Sequence, residues 1–253
     1  MSQSLSPGTV LITGAAKRIG RALALDLGAR GWQVAVHYST SRPEAEDVVA
    51  AIKAKGGKAV ALDADLADGA ATLALVGRAA AALGPLTCLI NNASLFEKDM
   101  LPTLALQSWD EHLDINLRAP ALLTQAFAAQ LPVDGSGNVI NIIDQRVWNL
   151  TEHFFSYTIS KAGLWAMTQS AALALAPRIR VNGIGPGPIL PSSRQSQADF
   201  DRQCAATPLR RGSSPEEICD AVRFILQAPA MTGQMIALDG GSHLTWRAAS
   251  VTE

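Results

Sequence analysis

Short apolar runs rich in β-branched residues alternate along this chain with longer Ala- and Leu-rich segments of helical period. The runs cover residues 9–13, 33–38, 58–63, 86–91, 138–143, 178–184 and 234–239. Most are apolar at successive positions rather than at alternate ones, the pattern of strands covered on both faces. Between them the period predicts helices over 18–30, 43–55, 68–83, a long one within 108–130, then 155–176 and 215–227. Gly31, Gly56, Gly57, Gly84, Pro85 and Pro177 stop helices where the next strand must begin. Seven strands alternating with six helices imply βαβ units. The expected fold class is therefore α/β: one doubly wound Rossmann domain over residues 1–253, a seven-stranded parallel sheet with helices on both faces. The longest stretch without a period is 185–211, rich in Pro, Ser and Gln. At the C-terminal end of a strand it reads as a substrate loop.

Composition narrows the partners. A hydrophobic fraction of 48% against 17% charged is too apolar for a disordered chain, and 253 residues suffice to bury a sizeable core. The net charge of −1 lacks the basic balance of a nucleic-acid binder, so no nucleic-acid partner is expected. Every apolar stretch is broken well before the roughly 18 residues that a membrane span needs. The first eight residues are polar and carry no signal pattern. Cys88, Cys204 and Cys219 lie far apart with no CxxC spacing, so neither a disulfide framework nor a metal site is expected. The bland expectation is a cytoplasmic protein that takes a small molecule.

The first predicted strand runs straight into Thr13-Gly14-Ala15-Ala16-Lys17-Arg18-Ile19-Gly20 and then a helix. Glycines in such a turn let the backbone approach a pyrophosphate, which the helix N-terminus attracts through its free N–H groups. After the second strand an NAD-preferring site would carry a carboxylate for the ribose 2′-hydroxyl. Here the chain reads Val36-His37-Tyr38-Ser39-Thr40-Ser41-Arg42, with no carboxylate. Lys17, Arg18 and the hydroxyl of Ser39 suit a 2′-phosphate instead, so the expected cofactor is NADPH/NADP.

Tyr157 and Lys161 stand four apart at the start of a predicted helix and share one face. A tyrosine of pKa near ~10 is a poor proton-transfer group at neutral pH, and an adjacent ammonium would stabilise its phenolate. The preceding strand ends beside Asp144.

These elements resemble the short-chain dehydrogenase/reductase family over nearly the whole chain. The matching motifs are TGAAKRIG, Asp65-Leu66, Asn91-Asn92-Ala93-Ser94, Asn116, Tyr157-x-x-x-Lys161, Pro186-Gly187, and Thr232-Gly-Gln with Asp239-Gly-Gly. The resemblance implies that Tyr157 donates the proton, that Lys161 binds the nicotinamide ribose and lowers the tyrosine pKa, and that Asn116 holds a relay water. It implies cofactor contacts from Gly14, Lys17, Arg18, Ile19, Gly20, His37, Tyr38, Ser39, Asp65, Leu66, Asn92, Ala93, Ser94, Pro186, Gly187 and Ile189. It also implies a homotetramer, although the residues themselves show only an unusually apolar helix around Trp165 and Met167.

Two departures from the family pattern carry information. Arg18 replaces a glycine of the turn, and Asp144 replaces the serine expected thirteen residues before the tyrosine. A serine hydroxyl donates to a ketone oxygen; an ionised aspartate cannot, and it suits a substrate with N–H donors. Both departures are similar to the pteridine reductase branch. By that resemblance Phe96 would stack a flat pterin against the nicotinamide, with Arg18, Ser94, Asp144, Phe154 and Tyr157 completing the substrate pocket. The leading expectation is an NADPH-dependent reductase of a pterin C=N bond. The alternatives are a carbonyl or 3-ketoacyl thioester reductase of the same family, and a non-catalytic dinucleotide sensor.

Overall fold

The computed structural model describes residues 7–192 and 194–245; the polar residues 1–6 considered above lie outside them. The strands are β1 (Thr9–Ile12), β2 (Gln33–Tyr38), β3 (Ala59–Asp63), β4 (Cys88–Asn91), β5 (Gly137–Ile142), β6 (Ile179–Pro186) and β7 (Met235–Leu238). They form one parallel sheet in the order β3-β2-β1-β4-β5-β6-β7. Neighbouring parallel strands need crossovers, and helices supply them: α1 (Arg18–Ala29), α2 (Arg42–Ala54), α3 (Gly69–Leu83), α4 (Leu106–Leu113), α5 (Ala119–Gln130), α6 (Phe155–Leu175), α7 (Gln197–Ala205) and α8 (Pro215–Gln227).

Alternate strand residues feed two cores. Val10, Ile12, Val34, Val36 and Ile90 pack against Leu23, Leu27, Val48 and Ile52 and, further along, Val222 and Ile225. Leu11, Ala35, Leu89 and Val139 pack on the other face against Leu75, Ala79, Leu123 and Phe127. This double burial is why the strands read as continuous apolar runs. The strand order reverses between β1 and β4, and the crevice beyond their C-terminal ends is where such sheets bind ligands.

Two expectations need correction. The segment expected as one long helix within 108–130 is α4, a π-helical turn over Asp114–Arg118, and α5. Pro120 has no N–H to offer the Asn116 carbonyl, and the widened turn absorbs that lost bond without ending the helical path. The stretch 185–211 is not all loop: it begins inside β6 and contains α7. That helix buries no residue, so it carried no apolar stripe to read; Ser196 caps it by accepting from Asp199 N–H. Among the described residues, no helix is long and apolar enough to cross a membrane.

Candidate active site

A cleft of about 630 Å³ opens over the switch point. Its first wall is built from backbone. Thr13 follows β1, and its hydroxyl accepts from Asn92 N–H at 2.9 Å and Ala93 N–H at 3.0 Å. Asn92 returns the favour through Nδ2, which donates to Thr13 O at 2.8 Å and Gly14 O at 3.1 Å. The loops after β1 and β4 are thus locked together. Gly14 sits at φ +61°, and a Cβ there would stand 3.0 Å from Ala93 Cα; a Cβ on Gly20 would fall 2.2 Å from Gly14 O. Arg18, in place of a family glycine, keeps the left-handed backbone at φ +52°, a strained conformation for an arginine. No side chain caps α1 and its first turn holds no acid, so its free N–H groups and positive end serve the cleft.

His37 supports this turn from behind. Its Nδ1 accepts from Gly14 N–H at 3.0 Å, and its Nε2 lies 3.2 Å from Ala64 O. An accepting Nδ1 places the proton on Nε2, which donates to that carbonyl. Burial pushes the imidazole down to about 4, so the ring is neutral at pH 7.

The opposite wall is built from ionisable side chains. Tyr157 and Lys161 occupy the first two turns of α6 and are both buried. Tyr157 Oη donates to Asp144 Oδ2 at 2.8 Å, while Arg146 N–H fixes Oδ1 at 2.8 Å. Burial, and then the Asp144 charge, hold the phenol well above its ordinary pKa, with the Arg146 cation opposing. Lys161 Nζ donates to Ile142 O at 2.8 Å and stands 5.8 Å from the Tyr157 ring centroid; burial pushes it down to about 8. The expected lowering of the tyrosine pKa by Lys161 is therefore corrected: Tyr157 stands as a neutral phenol hydrogen-bonded to a carboxylate.

Two arginines tie the loop after β6 across the cleft. Arg18 donates to Leu190 O at 3.0 Å and Pro191 O at 2.8 Å, and Arg194 donates to Glu97 Oε2 and to Phe96 O, each at 2.6 Å. Phe96 lines the cleft, but its ring stacks on Phe154 at 4.3 Å and 5°, meets the Tyr157 edge at 4.7 Å, and has the Arg194 guanidinium 6.0 Å over it.

Of the residues singled out from sequence, Gly14, Lys17, Arg18, Ile19, Gly20, Asn92, Ala93, Ser94, Phe96, Asp144, Tyr157, Lys161, Pro186, Gly187 and Ile189 meet at the cleft. The others do not line it. His37 acts through Gly14. Tyr38 and Leu66 pack in the two cores, and the Asp65 carboxylate accepts from Ala67 N–H at 2.9 Å. Ser39 is exposed at the end of β2. Phe154 is buried behind Phe96, with the Arg146 guanidinium 4.8 Å over its ring. Asn116 is buried, bonded to the Leu95 backbone and Ser160. Lys17 pairs with Glu44 at 2.8 Å on the exposed rim. Sequence reasoning passed over Thr13, although it stands in the glycine motif, and over Arg146 and Arg194, whose partners no local pattern announces.

The description of a short chain dehydrogenase matches residues 8–202. The chain is similar to the structure of FolM Alternative dihydrofolate reductase 1 from Brucella canis complexed with NADP, with 45% identity, 98% of each chain covered and a TM-score of 0.93. The Brucella suis FolM structure, also in complex with NADP, is 44% identical over 98% of this chain and 100% of that one, with a TM-score of 0.93. A 3-oxoacyl-[acyl-carrier-protein] reductase FabG from Staphylococcus aureus is 34% identical over 93% of this chain and 98% of its own length.

Proposed function

The chain belongs to the short-chain dehydrogenase family, and on that premise we propose that it is an NADPH-dependent reductase of a dihydropterin or dihydrofolate-like C=N bond. The observation that carries this reading is the Tyr157 Oη to Asp144 Oδ2 bond of 2.8 Å. A carboxylate stands where a ketone reductase would present a hydroxyl donor. It would repel a developing oxyanion but accept from the N–H groups of a heterocycle.

NADP(H) fits the residues present: the uncapped end of α1, the glycines at Gly14 and Gly20, the exposed Lys17 ammonium, and the absence of a carboxylate after β2. Two proteins 45% and 44% identical to this one were solved with NADP. When bound, the cofactor supplies the hydride. The chain does the rest. Gly14, Asn92 and the α1 terminus hold the dinucleotide, and Lys161 keeps N–H donors beyond its bond to Ile142 O for the cofactor ribose. Arg18 bonds Leu190 O and Pro191 O, and Arg194 bonds Glu97, so both arginines hold the segment after β6 against the cleft. Tyr157 carries the proton on Oη and releases it to ring nitrogen, with Asp144 orienting the phenol. Asn116 positions the Leu95–Ser160 neighbourhood and is the proposed anchor of a relay water. A homotetramer belongs to the same proposal and rests on the family resemblance alone.

The similarity to 3-oxoacyl reductases keeps a ketoacyl reading as the alternative. Following NADPH absorbance with dihydrobiopterin, dihydromonapterin and dihydrofolate beside an acetoacetyl thioester and diketones separates the two. Oxidation with pterins alone supports the proposal, and oxidation with ketones alone overturns it. A protein that binds NADPH and oxidises none with either class would be the dinucleotide sensor.

A further inference from the structure

Helix α6 begins where the chain offers no local cap. Phe154 precedes it at φ +57°, and no side chain at that position caps the helix. Its first N–H groups are met instead from a segment more than fifty residues earlier: Phe155 N–H donates to Asp99 O at 3.4 Å and Ser156 N–H to Asp99 Oδ1 at 3.1 Å. Asp99 Oδ2 also accepts from Ser156 Oγ, and from Ser108 Oγ at 3.0 Å. His112, wholly buried on α4, closes the cluster. Its Nδ1 lies 2.8 Å from Ser108 O and 2.8 Å from Ser156 Oγ, and its Nε2 accepts from Glu97 N–H at 3.1 Å. That last bond fixes the tautomer, with the proton on Nδ1.

One turn further on, Asn116 accepts from Leu95 N–H at 2.8 Å and donates to Ser160 Oγ at 3.0 Å. Phe96 therefore sits between two anchored neighbours, Leu95 and Glu97. Tyr157 sits beside Ser156, which the same histidine touches. Arg194, which lines the cleft, donates to Phe96 O and the Glu97 carboxylate, so it rests on the segment that His112 holds.

We infer that His112 is a positioning residue that sets Phe96 against Tyr157 and thereby governs affinity for the substrate rather than for the dinucleotide. The inference rests on the proposed function only for the identity of that substrate. Among the described residues, His112 bonds to Glu97, Ser108 and Ser156 and to nothing in the glycine turn. Two effects that usually travel together in a damaged protein should thus separate.

The test compares His112→Phe, which fills the space without an acceptor, with His112→Gln, whose amide can accept from Glu97 N–H. In His112→Phe, the KM for a dihydropterin is expected to rise about tenfold, while the NADPH Kd stays within about threefold. Amide exchange at Glu97 in the substrate-free enzyme is expected to quicken about tenfold, and His112→Gln to recover most of both changes. A KM and an NADPH Kd that rise together, or a Glu97 exchange rate that does not move, overturns the inference. If His112→Phe does not fold, His112→Asn, too short to reach Glu97 N–H, replaces it with the same expected split. If the wild type turns over no pterin, the proposed function fails, and amide exchange still decides for or against His112.

Discussion

The two walls of the cleft each bury a basic side chain, and they treat it in opposite ways. At the dinucleotide end His37 is pushed down to about 4, and at the chemical end Lys161 is pushed down to about 8, burial being the main cause in both. At pH 7 His37 is therefore neutral, with both ring nitrogens satisfied by Gly14 N–H and Ala64 O. Lys161 remains charged in a buried site, with one protein hydrogen bond, to Ile142 O. Holding that proton in a buried site costs the folded state roughly 3 kcal/mol at pH 7. At pH 7 His37 carries no such cost. The second wall holds a charge that stability alone would not retain, the usual mark of a site kept for chemistry.

Removing Tyr157 Oη should strain the comparison most. Tyr157→Phe is expected to lower kcat about a thousandfold while leaving the NADPH Kd nearly unchanged, because in the proposed mechanism the phenol carries the proton and the opposite wall holds the cofactor. Single-turnover kinetics beside a fluorescence titration check both halves. Turnover close to wild type would remove Tyr157 from the chemistry.

Lys161→Met sharpens the contrast from the stability side. It ends the cost of a buried charge but leaves Ile142 O without its donor, so the expected net gain in unfolding free energy at pH 7 is about 1–2 kcal/mol, together with loss of turnover. Denaturant unfolding reads the gain. A variant less stable than the parent would show that the lysine stabilises the fold.

The two bases also predict separate pH windows. Below pH 6.5 the unfolded chain begins to protonate His37 while the folded chain does not until about 4, so stability falls with pH across that interval, by up to about 3 kcal/mol. For Lys161 the unfolded chain releases its proton near 10.5 and the folded chain near 8, so stability rises as pH climbs between them. A His37→Gln variant should flatten the acid slope and leave the alkaline one, as urea midpoints at several pH values would reveal.

The smallest effect is expected on the rim. Lys17 and Glu44 form an exposed pair, so Glu44→Gln should leave folding stability nearly unchanged. Freeing the ammonium should tighten NADPH binding by no more than about threefold, and less at high salt.

How much of this was legible beforehand differs between the walls. The sheet, the glycine turn and five of the six expected helices follow from local period and spacing and needed only boundary adjustments, while the segment 108–130 broke at a π turn. The tyrosine and lysine likewise follow from a four-residue spacing. What escaped was non-local or weakly patterned. Arg18 reaches carbonyls more than 170 residues away, and Arg194 returns 97 residues to Glu97. Asp99 caps a helix it does not belong to. Helix α7 has no apolar stripe, and the π turn arises from one proline whose effect falls on the preceding residues. Such contacts are decided by tertiary packing, for which the chain carries no short-range signature.

The most direct test of the central claim compares wild type with Asp144→Ser on a dihydropterin and an acetoacetyl thioester, each with NADPH. If the carboxylate beside Tyr157 directs the enzyme to a C=N substrate, the serine variant loses about a hundredfold in kcat/KM for the pterin and gains on the ketone, because a hydroxyl donor replaces an acceptor. Equal activity of the two proteins on both substrates would contradict the claim that Asp144 sets the chemistry of this site.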